Sequence, residues 1–119
     1  MPNANYTPMK KVDCIIRPHT LEAVKTALNE LGITGMTVSE VRGCGSSPPE
    51  TDWFGEETLI RLPIRLRLEM VVPDEQVEPI IEAVLRHART GQPDDGKIFI
   101  LPYADAIRIR TEERGEAAL

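Results

Sequence analysis

Three short segments combine residue types that can bind an anion. Gly43–Gly45 contains two glycines, and the absence of their Cβ atoms lets backbone N–H groups approach a ligand. Asp95–Lys97 places a cation directly after a tight Asp-Gly turn. Arg108–Arg110 carries two guanidinium groups on one face of a predicted strand, a spacing that suits binding of a polyphosphate. Each segment also has an ordinary structural explanation: a flexible hinge, a connecting loop and a solvated strand face.

The sequence offers no convincing catalytic or metal-binding set. Neither His19 nor His87 has a nucleophile and a carboxylate nearby in sequence, and Cys14 and Cys44 form no Cys-x-x-Cys pair. The Walker-type and dinucleotide-binding glycine motifs are absent from the sequence as well. We therefore expect a binding or regulatory protein without a metal centre. A slow ATPase side activity is left open.

Composition narrows the class further. The 119 residues are enough for one domain, and 14 Lys+Arg against 19 Asp+Glu give a net charge of −5. That charge speaks against a general binder of nucleic acids or of anionic membranes. The polar N-terminus and the lack of a long apolar run favour a cytoplasmic protein that does not insert into a membrane.

Two strand–helix–strand units must position these segments. Alternating apolar residues predict strands at about 10–17, 36–42, 60–72, 97–103 and 106–110. Apolar stripes predict one helix between Thr20 and Gly32 and a second between Pro73 and Gly91, with its first turn bent at Pro79. This order predicts an α+β fold, a ferredoxin-like sandwich with an antiparallel sheet and both helices on one face. Cys14 falls on the apolar side of the first strand, where we expect a buried thiol.

The predicted domain spans residues 9–119 and follows a flexible tail of residues 1–8. A turn-rich insertion at about 43–58 has no regular period, which is typical of a functional or disordered loop. Trp53 and Phe54 lie in this insertion, where they would either anchor a partner or fasten the loop to its own domain.

Four stretches together resemble the PII nitrogen-regulatory signal-transduction proteins: Met9–Pro18, Gly32–Gly45, Thr90–Phe99 and Ile107–Thr111. The resemblance extends over essentially all of 9–119. It implies a homotrimer of ferredoxin-like subunits with an ATP or ADP site in each intersubunit cleft. It also implies that the insertion at 43–58 is a T-loop, which docks on a transporter, an enzyme or another regulator.

The resemblance also implies roles for individual residues. A B-loop around the phosphates would consist of Asp95, Gly96 and Lys97. Arg108 and Arg110 would clamp the phosphates from the neighbouring subunit. The adenine and ribose side would be lined by Ile15, Gly35, Met36, Thr37, Glu69 and Val71. The T-loop hinge over the nucleotide would consist of Gly43, Cys44 and Gly45.

Several positions depart from the family pattern. Ser47 stands where the family has the glutamine that helps to hold magnesium and 2-oxoglutarate, and Arg65 replaces a lysine that pairs with the 2-oxoglutarate carboxylate. Both departures argue against 2-oxoglutarate sensing and leave a magnesium site weakly supported. The loop has no tyrosine near Thr58, so uridylylation is not expected. Asp94 and Glu112 replace typical glycines and add negative charge to the two phosphate segments.

We therefore interpret the sequence as a divergent PII-like regulator that senses ATP and ADP. One alternative is a PII-like regulator of inorganic-carbon or other transport that responds to ADP, AMP or a small anion such as bicarbonate. A second alternative is a structural or metal-handling trimer of similar fold. Such a trimer would not need the motifs at Thr90–Lys97 and Arg108–Arg110.

Overall fold

The computed structural model describes residues 8–43, 51–54, 57–60 and 62–119. These described residues contain two α-helices and six strands: β1 (Met9–Ile16), α1 (Leu21–Glu30), β2 (Thr37–Arg42), β3 (Thr51–Phe54), β4 (Glu57–Ile60), β5 (Ile64–Pro73), α2 (Val77–Ala88) and β6 (Gly96–Tyr103). Within the described part of the chain, no helix is long and apolar enough to span a membrane.

Four strands form one antiparallel sheet in the order β2-β5-β1-β6. The two helices pack against each other, and the buried side chains of both join the core on one face of the sheet. This arrangement confirms the predicted ferredoxin-like α+β fold. It also puts β1 in the middle of the sheet, with β5 on one side and β6 on the other.

The core follows the two periods seen in the sequence. Alternate residues of β1 and β5 point to the helices, and residues three or four apart on α1 and α2 meet them. Cys14 is fully buried in this core, as expected. Burial, and to a lesser degree the neighbouring Asp13, raises the pKa of its thiol to about 12. The group therefore stays protonated and unreactive at neutral pH.

The helix ends explain two glycines and a proline. Gly32 and Gly91 follow α1 and α2 with φ values of +82° and +88°, a conformation that glycine adopts without a Cβ penalty. A 3₁₀ turn at Asp74–Gln76 precedes α2, so Pro79 is the third residue of the α-helix. The expected bend at Pro79 is not required, because N–H groups of a first helical turn have no intrahelical acceptor.

The segment between β2 and β5 is more regular than predicted. Thr51–Phe54 pairs antiparallel with Glu57–Ile60, so Trp53 and Phe54 lie on a strand and not on an irregular loop. The single long strand predicted at 60–72 is likewise two strands, β4 and β5, with Pro63 directly before β5. The hinge and effector positions Cys44, Gly45 and Ser47 lie outside the described residues, as does the tail 1–7.

The predicted fifth strand at 106–110 was wrong. Only one bridge forms there, between Ile107 and Arg114. A turn separates them, in which the Arg108 carbonyl accepts from the Glu112 N–H at 2.8 Å. The alternation of isoleucine and arginine suits a strand, but no strand among the described residues pairs with it, and Ile109 is 97% exposed. Arg108 and Arg110 therefore do not share a strand face within one chain.

Candidate functional site

The structure brings five of the predicted site residues together in one groove. The lining of a cavity of about 540 Å³ beside β2 and β5 includes Gly35, Met36, Thr37, Glu69 and Val71. The ladder between the two strands sets Thr37 directly opposite Glu69. Among these residues, Met36 and Val71 offer apolar surface while Thr37 and Glu69 offer a hydroxyl and a carboxylate, a mixture that suits a flat heteroaromatic ring and its polar substituents.

Glu69 is held by cations of the sheet face that lies away from the helices. Lys11 Nζ lies 2.5 Å from Glu69 Oε1, and Arg67 Nη2 lies 3.3 Å from the same oxygen. The hydrogen bond to Glu69 raises the pKa of Lys11. Lys11 also lines the groove, although the sequence analysis did not select it. Its position two residues before Asp13, on the same face of β1, was the signal that could have found it.

Arg67 also forms a two-pronged ion pair with Asp13. Its Nε donates to Asp13 Oδ1 at 3.0 Å, and its Nη2 donates to Asp13 Oδ2 at 2.6 Å. Asp13 is 7% exposed, and the hydrogen bonds from Arg67 lower the pKa of its carboxyl against the opposing effect of burial. The four charges alternate in sign across the sheet face, so the groove carboxylate sits in a fixed network.

A second cluster forms where β1 ends and β6 begins. Ile15, Asp95, Gly96 and Lys97 line a smaller cavity of about 190 Å³, together with the C-terminal end of α2. The pairing of β1 with β6 sets Ile15 opposite Lys97 and Ile16 opposite Gly96. The structure thus brings Ile15 to the predicted phosphate loop and not to the groove that holds the other predicted base-binding residues.

Gly96 is the position where this loop tolerates no side chain. Its φ is +117°, and a Cβ there would lie 1.8 Å from the Ile15 carbonyl oxygen. Main chain meets main chain at this crossing, so no rotamer change could relieve the overlap. By contrast, a Cβ at Gly35 or Gly43 would meet no atom of the described residues within 4 Å. Packing among the described residues therefore accounts for the glycine at 96 and gives no steric reason for those at 35 and 43.

The Asp95 carboxylate organises its own loop. It accepts hydrogen bonds from the backbone N–H groups of Thr90 and Gly91 at 2.8 and 2.9 Å, and from the Thr90 hydroxyl. Arg17 Nε donates to the same carboxylate at 3.1 Å. The Thr90 hydroxyl bond, followed by the two backbone bonds and Arg17, holds the pKa of Asp95 far below its ordinary value. Asp95 thus stays ionised and is turned into the loop.

Arg17 lies outside this loop but contacts it, and the sequence analysis missed this residue. Besides its bond to Asp95, its Nη2 donates to the Pro93 carbonyl at 2.6 Å. Arg17 directly follows β1, and the antiparallel pairing of β1 with β6 brings the end of β1 to the start of β6. The sequence analysis predicted no strand pairing, so it gave no signal for this contact.

The arginines of the C-terminal segment lie elsewhere. Arg108 Nη1 is 3.4 Å from Glu113 Oε1, and Arg108 Nη2 donates to the Leu119 carbonyl at 3.0 Å. Leu119 in turn lines the groove that holds Thr37 and Glu69. Arg110 is exposed in the turn. The described residues around the Lys97 cavity include neither arginine, so one chain does not assemble the full predicted phosphate clamp.

Two acidic residues hold a backbone conformation that normally favours glycine. Asp94 and Glu112 have φ values of +64° and +62°, and they are the non-glycine residues with positive φ in the described part of the chain. This conformation costs roughly 1–2 kcal/mol for an ordinary residue, and somewhat less for Asp. Both residues belong to segments that the sequence assigns to phosphate binding.

Two more candidates belong to the base of the segment between β2 and β5. The Gly43 N–H donates to the Pro63 carbonyl at 3.2 Å, which closes this base. Arg65 pairs with Val41 in the ladder and donates to the Ile64 carbonyl at 3.0 Å. The structure therefore gives Gly43 a role in holding the loop ends together, while Ser47, the second predicted effector position, lies outside the described residues.

The chain is thus a ferredoxin-like α+β protein with one groove beside β2 and β5 and a second, smaller cavity at the loop before β6. The family model "Nitrogen regulatory protein P-II" matches residues 9–113. Nitrogen regulatory protein P-II 1 of Escherichia coli (strain K12) is 45% identical over 112 residues, which cover 93% of this chain and 100% of that protein. Nitrogen regulatory protein P-II of Nostoc punctiforme is 47% identical over the same length. The structure of the B. subtilis GlnK-ATP complex has a TM-score of 0.77 and 37% identity, and the match covers 94% of this chain and 98% of that one. The chain belongs to the P-II nitrogen regulatory family of signal-transduction proteins.

Proposed function

We propose that this protein senses adenine nucleotides and regulates a target transporter or enzyme. ATP or ADP would bind in clefts between the subunits of a homotrimer, and the segment 43–58 would contact the target. One observation carries this proposal: Gly35, Met36, Thr37, Glu69 and Val71 converge on a single groove. The solved GlnK-ATP complex of a relative supports the choice of nucleotide.

The groove suits the nucleoside part of such a ligand. Met36 and Val71 offer apolar surface to the base, while the Thr37 hydroxyl and backbone polar groups near Gly35 offer hydrogen bonds. The fixed carboxylate of Glu69 can accept a hydrogen bond from a ribose hydroxyl. Lys97 and the backbone N–H groups around Gly96 would bind the phosphates.

A homotrimer would complete the site. Among the described strands, β6 pairs with β1 alone, and its residues Phe99, Leu101 and Tyr103 are each about two-fifths to one-half exposed. A second copy that covers this apolar surface would be stabilised by its burial. The same contact would allow Arg108 and Arg110 of a neighbouring subunit to reach the phosphates beside Lys97.

Target binding is assigned to the segment between β2 and β5. Its strand β3 contains Trp53 and Phe54, and aromatic residues are the most frequent anchors of protein interfaces. Nucleotide occupancy would change the target affinity by favouring one arrangement of the hinge at 43–45. Because Ser47 lacks the amide of a glutamine and Arg65 replaces a lysine, we do not expect 2-oxoglutarate to bind.

Calorimetric titration of the full chain with ATP and ADP tests the proposal. Lys97→Ala should weaken binding of both nucleotides roughly ten- to hundredfold, because it removes a charge-assisted bond to phosphate. The matched control is Lys25→Ala, which removes an exposed cation paired with Glu22 on α1. Equal affinities of the Lys97 and Lys25 variants, or no binding by the wild type, would contradict the proposed site.

A second candidate rests on the two acidic residues of the phosphate segments. Asp94 and Glu112 add negative charge there, which favours ADP or AMP over the more highly charged ATP. The protein would then be a PII-like regulator of inorganic-carbon or other transport, with bicarbonate as a further small-anion ligand. Titrations with AMP and bicarbonate in the same series separate this candidate from an ATP sensor.

A further inference from the structure

Arg17 crosses from the end of β1 to the loop that leads into β6. Its side chain reaches two points of that loop, Asp95 Oδ1 through Nε at 3.1 Å and the Pro93 carbonyl through Nη2 at 2.6 Å. The side chains of Arg17 and Asp95 are 23% and 22% exposed, so the pair is largely removed from water. Ion pairs in such surroundings are screened less than surface pairs.

The remaining bonds of Asp95 show what Arg17 supports. The carboxylate accepts hydrogen bonds from the Thr90 hydroxyl and from the N–H groups of Thr90 and Gly91. These bonds connect the start of the loop to its end. Without the guanidinium, a half-buried carboxylate would keep its neutral donors but lose the cation that pairs with it. The Pro93 carbonyl would lose its partner at the same time.

Gly96 and Lys97 follow Asp95 directly, and β1 fixes them as well. Gly96 crosses the Ile15 carbonyl so closely that no Cβ fits, and Lys97 pairs with Ile15 in the sheet. Two residues of β1 and its end, Ile15 and Arg17, therefore hold the loop on both sides of Asp95. The position of Lys97 relative to the sheet follows from these two contacts.

We infer that Arg17 is a positioning residue of the phosphate site: it orders the loop Thr90–Gly96 through Asp95 and so places Lys97 for a nucleotide phosphate. The inference rests on the proposed function, since it concerns the same site. Arg17 does not itself need to touch the phosphate. The contribution of Arg17 to nucleotide binding should therefore disappear once the Asp95 carboxylate is removed, because Arg17 then has no ion-pair partner there.

A double-mutant cycle on the full chain tests this dependence. We expect Arg17→Ala and Asp95→Asn each to weaken ATP binding about tenfold, and the combined variant to be no weaker than about tenfold. Arg17→Lys should recover part of the loss, because an ammonium keeps the charge but cannot bridge both acceptors. Losses that multiply to about a hundredfold in the combined variant would show that Arg17 acts independently of Asp95, which overturns the inference.

The amide signals of Thr90 and Gly91 provide a readout that does not depend on nucleotide. In two-dimensional NMR spectra without ligand, Arg17→Ala should shift or broaden both signals, whereas Lys25→Ala, the exposed cation of α1, should leave them in place. Unchanged Thr90 and Gly91 signals in a folded Arg17→Ala protein would overturn the inference. Wild-type protein that binds no ATP would overturn the proposed function, whereas wild-type binding with an unaffected Arg17→Ala variant would overturn the inference alone.

Discussion

The groove beside β2 and β5 and the loop before β6 are held in place by different kinds of contact. Sheet pairing sets Thr37 opposite Glu69, and Lys11 and Arg67 fix the Glu69 carboxylate. The loop instead depends on one crossing at Gly96 and on the bonds of Asp95, while Arg108 and Arg110 lie apart from it. The residues proposed for the base thus meet within one chain, whereas those proposed for the phosphates lie apart in it.

Gly96→Ala should show the largest effect on the loop side. The new Cβ would overlap the Ile15 carbonyl at a φ of +117°, which we expect to cost about 3 kcal/mol or more of the free energy of unfolding. Nucleotide binding should be lost with it. Thermal denaturation and calorimetry measure both effects.

Two other glycines are graded controls for this substitution. Gly91→Ala has a φ of +88° but open space, so it should cost about 1 kcal/mol. Gly43→Ala has neither constraint and should be nearly neutral for folding. If Gly96→Ala is no worse than Gly91→Ala, the close crossing of β1 and the loop is wrong.

Mixed assemblies test whether the phosphate side is shared between chains. Arg108→Ala alone should weaken ATP binding roughly ten- to hundredfold with little change in thermal stability, because its pair with Glu113 is exposed. In a mixed trimer of Arg108→Ala and Lys97→Ala chains, one cleft would combine the two intact residues. Calorimetry should then recover tight binding at a reduced stoichiometry.

Failure of the mixed trimer to recover any tight site would place Lys97 and Arg108 in the same subunit's cleft. Size-exclusion chromatography with light scattering is the necessary companion measurement, since it shows that the chains have exchanged. Recovery with trimeric mass supports a shared site.

Asp13→Asn should affect the groove side through its charge network. The Arg67 hydrogen bonds lower the pKa of Asp13, so its stabilisation is present above the pKa of the unfolded chain and is lost as the pH falls through the lower folded value. We expect the free energy of unfolding to fall by about 1–2 kcal/mol at neutral pH. Between neutral and acid pH, it should decline less in the variant than in the wild type. Urea unfolding at a series of pH values measures this.

Asp74→Asn is the matched control for Asp13, because the Lys10–Asp74 pair is more exposed. Its effect should stay within about 0.5 kcal/mol at every pH. An Asp13 variant that behaves like the Asp74 variant would mean that the network does not stabilise the groove side.

Asp94→Gly should have the smallest effect and the opposite sign. Glycine accepts a φ of +64° readily, so the free energy of unfolding should rise by about 0.5–1 kcal/mol. Removal of the carboxylate should also favour ATP over AMP by a few-fold. Denaturation together with paired titrations tests both, and an ATP-to-AMP ratio equal to that of the wild type would remove Asp94 from nucleotide selection.

The sequence predicted the elements whose positions follow from the spacing of apolar residues and from the order of strands and helices. Alternation along 9–17 and 60–72 yielded the core strands, and β-α-β order yielded the sheet. The fifth strand at 106–110 failed because alternation records which side chains face one way but not whether a partner strand exists. The β3–β4 ladder was missed because polar, proline-containing segments carry little period.

For the candidate site, it was easier to predict which residues lie in it than which contacts each side chain makes. Thr37 and Glu69 come together as the resemblance implied, since one sheet register fixes both. Asp95 was selected as part of a phosphate loop, but its carboxylate binds Thr90, Gly91 and Arg17 of its own chain. The Arg17–Asp95 contact links residues 78 positions apart, and only the folded chain brings them within reach.

The pairing of β1 with both β5 and β6 has a consequence for hydrogen exchange. Ile15 and Ile16 belong to the central strand, so the amides that anchor the loop should exchange only when the whole sheet opens. The C-terminal segment has one β-bridge, Ile107–Arg114, and a few turn hydrogen bonds, so its amides should exchange through local opening. If a nucleotide contacts the loop of one subunit and the C-terminal segment of another, it should slow exchange mainly in the C-terminal segment. The amides of that segment would then be the most sensitive reporters of nucleotide binding.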